Sequence, residues 1–206
     1  MNRKEHWDAV YGDRRPNELT WFQARPETSL GLIRECGLGV EARIIDVGSG
    51  TSLLPVLLLE EGFRHLSVLD ASRKAQELAK EQLGSRAAEI EWFESDLLDF
   101  EPPHRWELWH DRAVFHFLCP EEDRAAYCRV LNRALEPGGH VIIATFAMDG
   151  PTRCSGLDVI RHSPESLEEV LGEGYQLRGV RQEAHETPTG GIQNFLYTRF
   201  RRRLES

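Results

Sequence analysis

Residues 44–55 read IIDVGSGTSLLP, and no other stretch limits the possible folds of this chain so sharply. Ile44 and Ile45 open it as a buried strand should. Asp46 then stands at the mouth of that strand, and Gly48 and Gly50 remove the side chains from the turn that follows. Glycines at such a turn permit positive φ and let a ligand approach the backbone at van der Waals distance. The following run, TSLLPVLLLEEGF, reads as a helix whose free N–H groups and positive dipole end would face the same point. A glycine pair alone fits a bare tight turn equally well, so the rest of the chain must decide.

Strands and helices alternate on both sides of this stretch. PETSLGLIRECGLG reads as a helix, capped at Thr28 or Ser29 and stopped at Gly37. ARIIDVG, HLSVLDAS, EIEWFESDLL, RWELWHDRA and HVIIATFA read as five strands. RKAQELAKEQLG, ending at Gly84, and EEDRAAYCRVLNRALEPGG, ending in a Pro-Gly-Gly stop, are the helices between them. Such alternation predicts parallel strands joined by crossover helices, a doubly wound α/β Rossmann-like sheet with helices on both faces. The last forty or so residues break the rhythm: SPESLEEVLGEG is a capped helix, and two strand-like runs joined by TPTGG form an antiparallel hairpin. No internal repeat or linker divides the chain, and one domain over residues 1–206 is expected, with 1–27 as an arm and 28–206 as its core.

In an open α/β sheet, ligands bind beyond the carboxyl ends of the strands. Three acids stand there: Asp46, Asp70 and Asp96. Asp70 lies 22 residues after Gly48, where a carboxylate can accept both ribose hydroxyls of a nucleoside. Asp96, in FESDLLDF, with the apolar Leu97 beside it, can hold the amino edge and face of an adenine. A dinucleotide is the rival ligand. Against it, Leu53 occupies the third glycine position of the dinucleotide fingerprint, and Asp46 would repel a pyrophosphate while attracting an ammonium group.

Composition closes off other classes. The 206 residues are 40% hydrophobic and 29% charged, as in an ordinary globular protein, and the net charge of −9 argues against nucleic acid as a partner. Cys36, Cys119, Cys128 and Cys154 form no C-x-x-C pair, so neither a zinc site nor a disulfide framework is expected, and a reducing cytoplasm is the simplest location. No apolar run reaches the ~18 residues of a membrane span, and the N-terminus lacks a signal peptide's apolar region. The basic run RFRRR at 199–203 reads as a solvated tail.

Taken together, these motifs resemble the class I S-adenosylmethionine-dependent methyltransferases. IIDVGSGTS matches their glycine motif, SVLDAS their ribose acid, ESDLLDF their adenine-side acid and LEPGGHVIIATF their Pro-Gly-Gly turn and following strand. The likeness runs from about Ala42 to the end of the chain. It implies seven strands in the order 3-2-1-4-5-7-6 with the last antiparallel. It also implies cofactor-binding roles for Asp46, Gly48, Ser49, Gly50, Thr51, Ser52, Asp70, Ala71, Ser72, Asp96 and Leu97, with the strand-end His110 against the adenine.

The arm is rich in aromatic residues. Trp7, Tyr11 and Trp21 suit either a staple onto the core or a lid whose rings attract a sulfonium and exclude water. This W-x-x-x-Y and the step Asp111-Arg112 resemble the thiopurine methyltransferases and the related thiol, halide and tellurite-type enzymes. By that resemblance Arg112 faces the reacting atom of the acceptor. His116 is a candidate general base, and Asp111 completes the catalytic set. No metal is expected. Arg153, Cys154 and Ser155 are candidates for lining the acceptor pocket. The expected function is methyl transfer to a small acceptor through sulfur, nitrogen, oxygen or a soft anion, by a monomer or weak dimer. The alternatives are a protein lysine methyltransferase, a non-catalytic S-adenosylmethionine-binding protein and a nicotinamide-dependent oxidoreductase.

Overall fold

Apolar runs flanked by helical layers become strands buried on both faces. In the computed structural model, which describes residues 2–204, β1 spans Arg43–Val47, β2 His65–Asp70, β3 Ile90–Glu94, β4 Trp106–Arg112 and β5 Leu135–Phe146. A hairpin of β6, Tyr175–Glu186, and β7, Ile192–Arg202, completes the sheet. Counting only these strands, the order is 3-2-1-4-5-7-6. β1 to β5 run parallel and β7 runs antiparallel to β5, as expected. Met1, Glu205 and Ser206, the outermost residues of the expected arm and core, lie outside the described residues.

The pleat divides the core in two. Ile45, Val47 and Trp109 pack beneath α5, Glu121–Ala134, and α6, Pro164–Leu171. Ile44, Leu108 and Ile142 pack beneath α2, Glu27–Arg34, and α3, Leu54–Glu60. The arm forms α1, Arg3–Asp13, whose Tyr11 packs with Ala75 of α4, Arg73–Leu83. α4 starts where the Ser72 hydroxyl accepts the Ala75 N–H at 3.0 Å and stops at Gly84, φ +58°.

Four local readings change. α2 is capped by Pro26, not Thr28 or Ser29, and ends at Arg34, ahead of Gly37. α3 has seven residues and begins at Leu54, four residues beyond Gly50, so the turn between them is longer than the sequence suggests. The Pro-Gly-Gly turn is absorbed into β5, with Gly138 at φ +79° and a register shift between Trp106 and Leu108. A Cβ on Gly139 would lie 2.8 Å from the Glu136 carbonyl and 3.1 Å from that of Glu107, so only glycine allows the strands to meet there. Finally, Arg199–Arg202 are no tail. They end β7, because Leu196, Thr198 and Phe200 alternate into the core and carry the arginines into the sheet. Among the described residues, no helix is long and apolar enough to cross a membrane.

Candidate functional site

After β1 the backbone enters the left-handed region at Gly48, φ +59°, and Gly50, φ +56°. A Cβ on Gly48 would overlap Val114 Cγ2, and one on Gly50 would overlap the Tyr11 hydroxyl. Each glycine thus makes room for a side chain from another element. The Gly48 N–H donates to the Leu69 carbonyl at 2.6 Å. Asp70 then ties the loop to the end of β2: Oδ2 accepts the Gly50 N–H at 2.7 Å and Oδ1 the Ser72 N–H at 2.7 Å. Each oxygen keeps a lone pair free for a further donor. Burial pushes this carboxyl up to about 6 against the two N–H donors that favour its charge.

A cleft of about 900 Å³, its open mouth included, runs along the carboxyl edge of the sheet. One wall is Leu69, Asp70, Ala71, Asp96 and Leu97; the other is Phe117, Phe146, Cys154 and Phe195. Trp7, Tyr11 and Trp21 of the arm line it as well. Asp96 caps a short turn through the Leu98 N–H at 2.9 Å, and Arg3 of α1 pairs with it at 3.4 Å.

Arg112 stands between this cleft and a smaller cavity beneath the glycine loop. Its Nε donates to the Tyr197 hydroxyl and its Nη1 to the Trp21 carbonyl, both at 2.9 Å. The guanidinium carbon lies 4.6 Å from the centre of the Phe195 ring. Nη2 is buried with no hydrogen-bond partner among the described residues. The smaller cavity is lined by Ser29, Asp46, Ser49, Thr51, Ser52 and His110. There His110 Nδ1 lies 2.7 Å from Asp46 Oδ1, and His110 Nε2 lies 2.9 Å from Ser29 Oγ. Asp46 Oδ2 is buried and unpartnered among the described residues.

Several expected site residues stand away from the cleft wall. His116 sits in the turn Phe115–Phe117, wholly buried, with ring centres 4.5 Å from Phe117 and 4.6 Å from Phe146. Its Nδ1 accepts the Phe146 N–H at 3.3 Å. Burial, then His162 and Arg112, push its pKa down to about 3, so it is neither exposed to an acceptor nor basic enough to take a proton from one. Asp111 points to the face opposite Arg112, as the period of two requires, and its Oδ1 caps the N–H groups of Val114 at 3.0 Å and Phe115 at 3.3 Å. Burial pushes its carboxyl up to about 6. His110 lies in the smaller cavity and not against the Asp96 wall. Ser72 is a buried helix cap. Cys154 reaches the cleft, while Arg153 is exposed and pairs with Asp158 at 3.0 Å, and Ser155 turns through φ +50°.

Phe117, Phe146, Phe195 and Arg3 line the cleft without having been expected there. The signal for two of them lay in topology. Once β7 pairs with β5, Phe195 falls opposite Phe146 at the carboxyl edge.

A model of the methyltransferase domain matches residues 44–139, the segment from the glycine loop through Asp70, Asp96 and Arg112 to the start of β5. The N-methyltransferase NodS of Bradyrhizobium japonicum, solved with S-adenosyl-L-homocysteine, shares the fold at a TM-score of 0.70 and 18% identity, over 96% of this chain and 98% of that one. A methyltransferase domain therefore occupies residues 44–139, on the fold of S-adenosylmethionine-dependent methyltransferases. A further structure, described for the conversion of a disulfide bond into a thioacetal group during echinomycin biosynthesis, overlays the methyltransferase with a TM-score of 0.80 at 20% identity, over 100% of this chain and 93% of that one. A curated relative, the mouse EEF1A lysine methyltransferase 2, is 24% identical over 195 residues, covering 82% of this chain and 75% of its own.

The donors and acceptors of the methyltransferase suit its cofactor. A ribose diol needs acceptors, and Asp70 has a lone pair to spare on each oxygen. An α-ammonium needs an anion, and Asp46 Oδ2 is a buried acceptor with no partner among the described residues.

Proposed function

We propose that this methyltransferase alkylates a small acceptor that enters the cleft already as an anion. Bound S-adenosylmethionine supplies an electrophilic methyl on a sulfonium. The chain's own residues then hold, align and shield. Asp70 takes the ribose, Asp96 and Leu97 the adenine, and Asp46 Oδ2 the ammonium end, while the backbone at Gly48 lies beneath. Trp7, Trp21, Phe117, Phe146 and Phe195 exclude water from the acceptor side.

One observation carries the charge of the acceptor. Arg112 lines the cleft and carries a buried, unpaired Nη2, and the wall of Phe117, Phe146, Cys154 and Phe195 offers no base for neutral pH among the described residues. Burial pushes the Tyr11 hydroxyl and the Cys154 thiol up, and Asp70 is taken up by the loop and the ribose. An amine would have to shed its proton there unaided, whereas a thiolate, halide, carboxylate or chalcogen oxyanion arrives without one. Protein lysine methylation is the second reading, carried by the mouse relative. A turnover panel of thiols, halides, selenium and tellurium oxyanions, carboxylates, amines and a cell lysate, read as S-adenosylhomocysteine formed, separates the two. Turnover confined to the anions, with a pH profile set by each acceptor's own pKa, is expected. Methylation of amines alone, or of a protein band in the lysate, overturns this reading.

A further inference from the structure

Methyl transfer uses the carboxyl edge of the sheet and leaves the far end of β5–β7 without a role. A basic cluster occupies it. His140 faces Arg201 across β5 and β7, and Ile142 faces Arg199, so the pleat sets His140, Arg199 and Arg201 on one face. Across the hairpin, Arg199 lies opposite Gly179, where a Cβ would be 3.8 Å from both Nε and Nη2. The guanidinium therefore lies over a residue that has no side chain to displace it. Arg178 stands beside it, where the register shifts between Leu177 and Gly179.

Two nitrogens in this cluster are buried and have no hydrogen-bond partner among the described residues: Arg199 Nε and His140 Nδ1. The carboxylate that α2 brings to this face, Glu35, lies 3.0 Å from Arg181 Nη2 and 3.7 Å from Arg199 Nη2, so it engages the outer edge of Arg199 and leaves Nε unmet. Buried polar groups without partners are costly, and this chain keeps an arginine donor and an imidazole nitrogen in one cluster, beside two more arginines, against a net charge of −9.

We propose that this face of β5–β7 binds a phosphate-type oxyanion, held by Arg199 and His140 and closed at the rim by Arg178 and Arg201. A tetrahedral oxyanion offers several acceptor oxygens to donors converging from different strands, which a halide of the same charge cannot do. The state of His140 agrees. Burial, then Arg199, Arg201 and Arg178, push its pKa down to about 4, and a bound dianion would reverse those three electrostatic contributions.

The experiment follows the histidine resonances of the full-length protein by NMR as inorganic phosphate is added at constant ionic strength, with sodium chloride as the balancing salt. His140 is expected to shift saturably at millimolar phosphate and to titrate at higher pH when bound. Arg199→Gln and, on the exposed rim, Arg178→Gln should each weaken binding, the former by about tenfold or more, with methyl-transfer turnover unchanged. Phenyl phosphate as a second ligand tells a free phosphate site from one that takes a phosphomonoester. An unsaturable shift, an equal shift with chloride alone, or undiminished binding by both variants overturns the proposal.

Discussion

Asp46 offers one oxygen to the smaller cavity because His110 occupies the other, and Ser29 in turn fixes His110. Replacing the histidine frees that carboxylate to turn. His110→Ala should weaken S-adenosylhomocysteine binding by about 1–3 kcal/mol, the scale for a lost buried hydrogen bond to a charged group. Turnover at saturating cofactor should change much less; calorimetry and kinetics on one preparation test both, and an unchanged affinity removes His110 from the cofactor side. Arg112→Ala is the opposite case. Its Nη2 faces the acceptor in the proposed reading, so turnover should fall by about tenfold or more while cofactor affinity holds within threefold. Loss of affinity with turnover intact would move Arg112 to the cofactor. The Asp111-Arg112 step was visible in the sequence as chemistry. Which neighbour shared its pocket was not, because a period of two sends Asp111 and Arg112 to opposite faces only once the strand is known to reach Arg112. The surroundings of His116 were hidden for a related reason: one tight turn places it between Phe117 and Phe146, and no spacing in the sequence announces that stack.

Among the elements, α1 is the one held to the site by polar contacts at its rim. Arg3 pairs with Asp96 and Asp123, Lys4 with Glu94, and Asp8 accepts from the Ser72 hydroxyl at 2.7 Å and the Lys74 N–H at 3.1 Å. Trp7 and Tyr11, four residues apart, lie on one face of this helix and reach the cleft. The aromatic spacing was legible in the sequence, and so was the sheet they cover, since alternation and hydrophobic runs report burial directly. The charged fasteners were not legible, because each joins residues about ninety or more apart in the chain. Exposed ion pairs contribute only ~0–1 kcal/mol each and weaken with salt. The paired change Arg3→Ala with Lys4→Ala should therefore speed release of S-adenosylhomocysteine by about two- to tenfold, and added salt should do the same to the parent alone. Stopped-flow fluorescence of the arm's tryptophans reads both. Equal release rates in parent and variant would show that these pairs do not hold α1 over the cleft.

For the molecule as a whole, buried histidines set the response to acid. His116, His140 and His162 are buried, and burial is the first cause that pushes them down to about 3, 4 and 4. In the unfolded chain each takes a proton near 6.5. Between those limits unfolding consumes protons, so stability falls with falling pH, by at most ~1.4 kcal/mol per pH unit for each histidine. Asp70 and Asp111 act the other way. Both are raised to about 6, so between 6 and the ordinary carboxyl value near 3.9 the folded chain holds protons that the unfolded chain has released. Three histidines against two carboxylates leave the histidines' sign in force. Urea unfolding in phosphate-free buffer should show stability dropping from pH 6.5 toward pH 4, less steeply than three histidines alone would give because the carboxylates oppose. His116→Phe, which keeps a ring between Phe117 and Phe146, should flatten that slope; a parent whose stability holds level or climbs from pH 6.5 to 5 would mean that these imidazoles titrate freely in the folded protein.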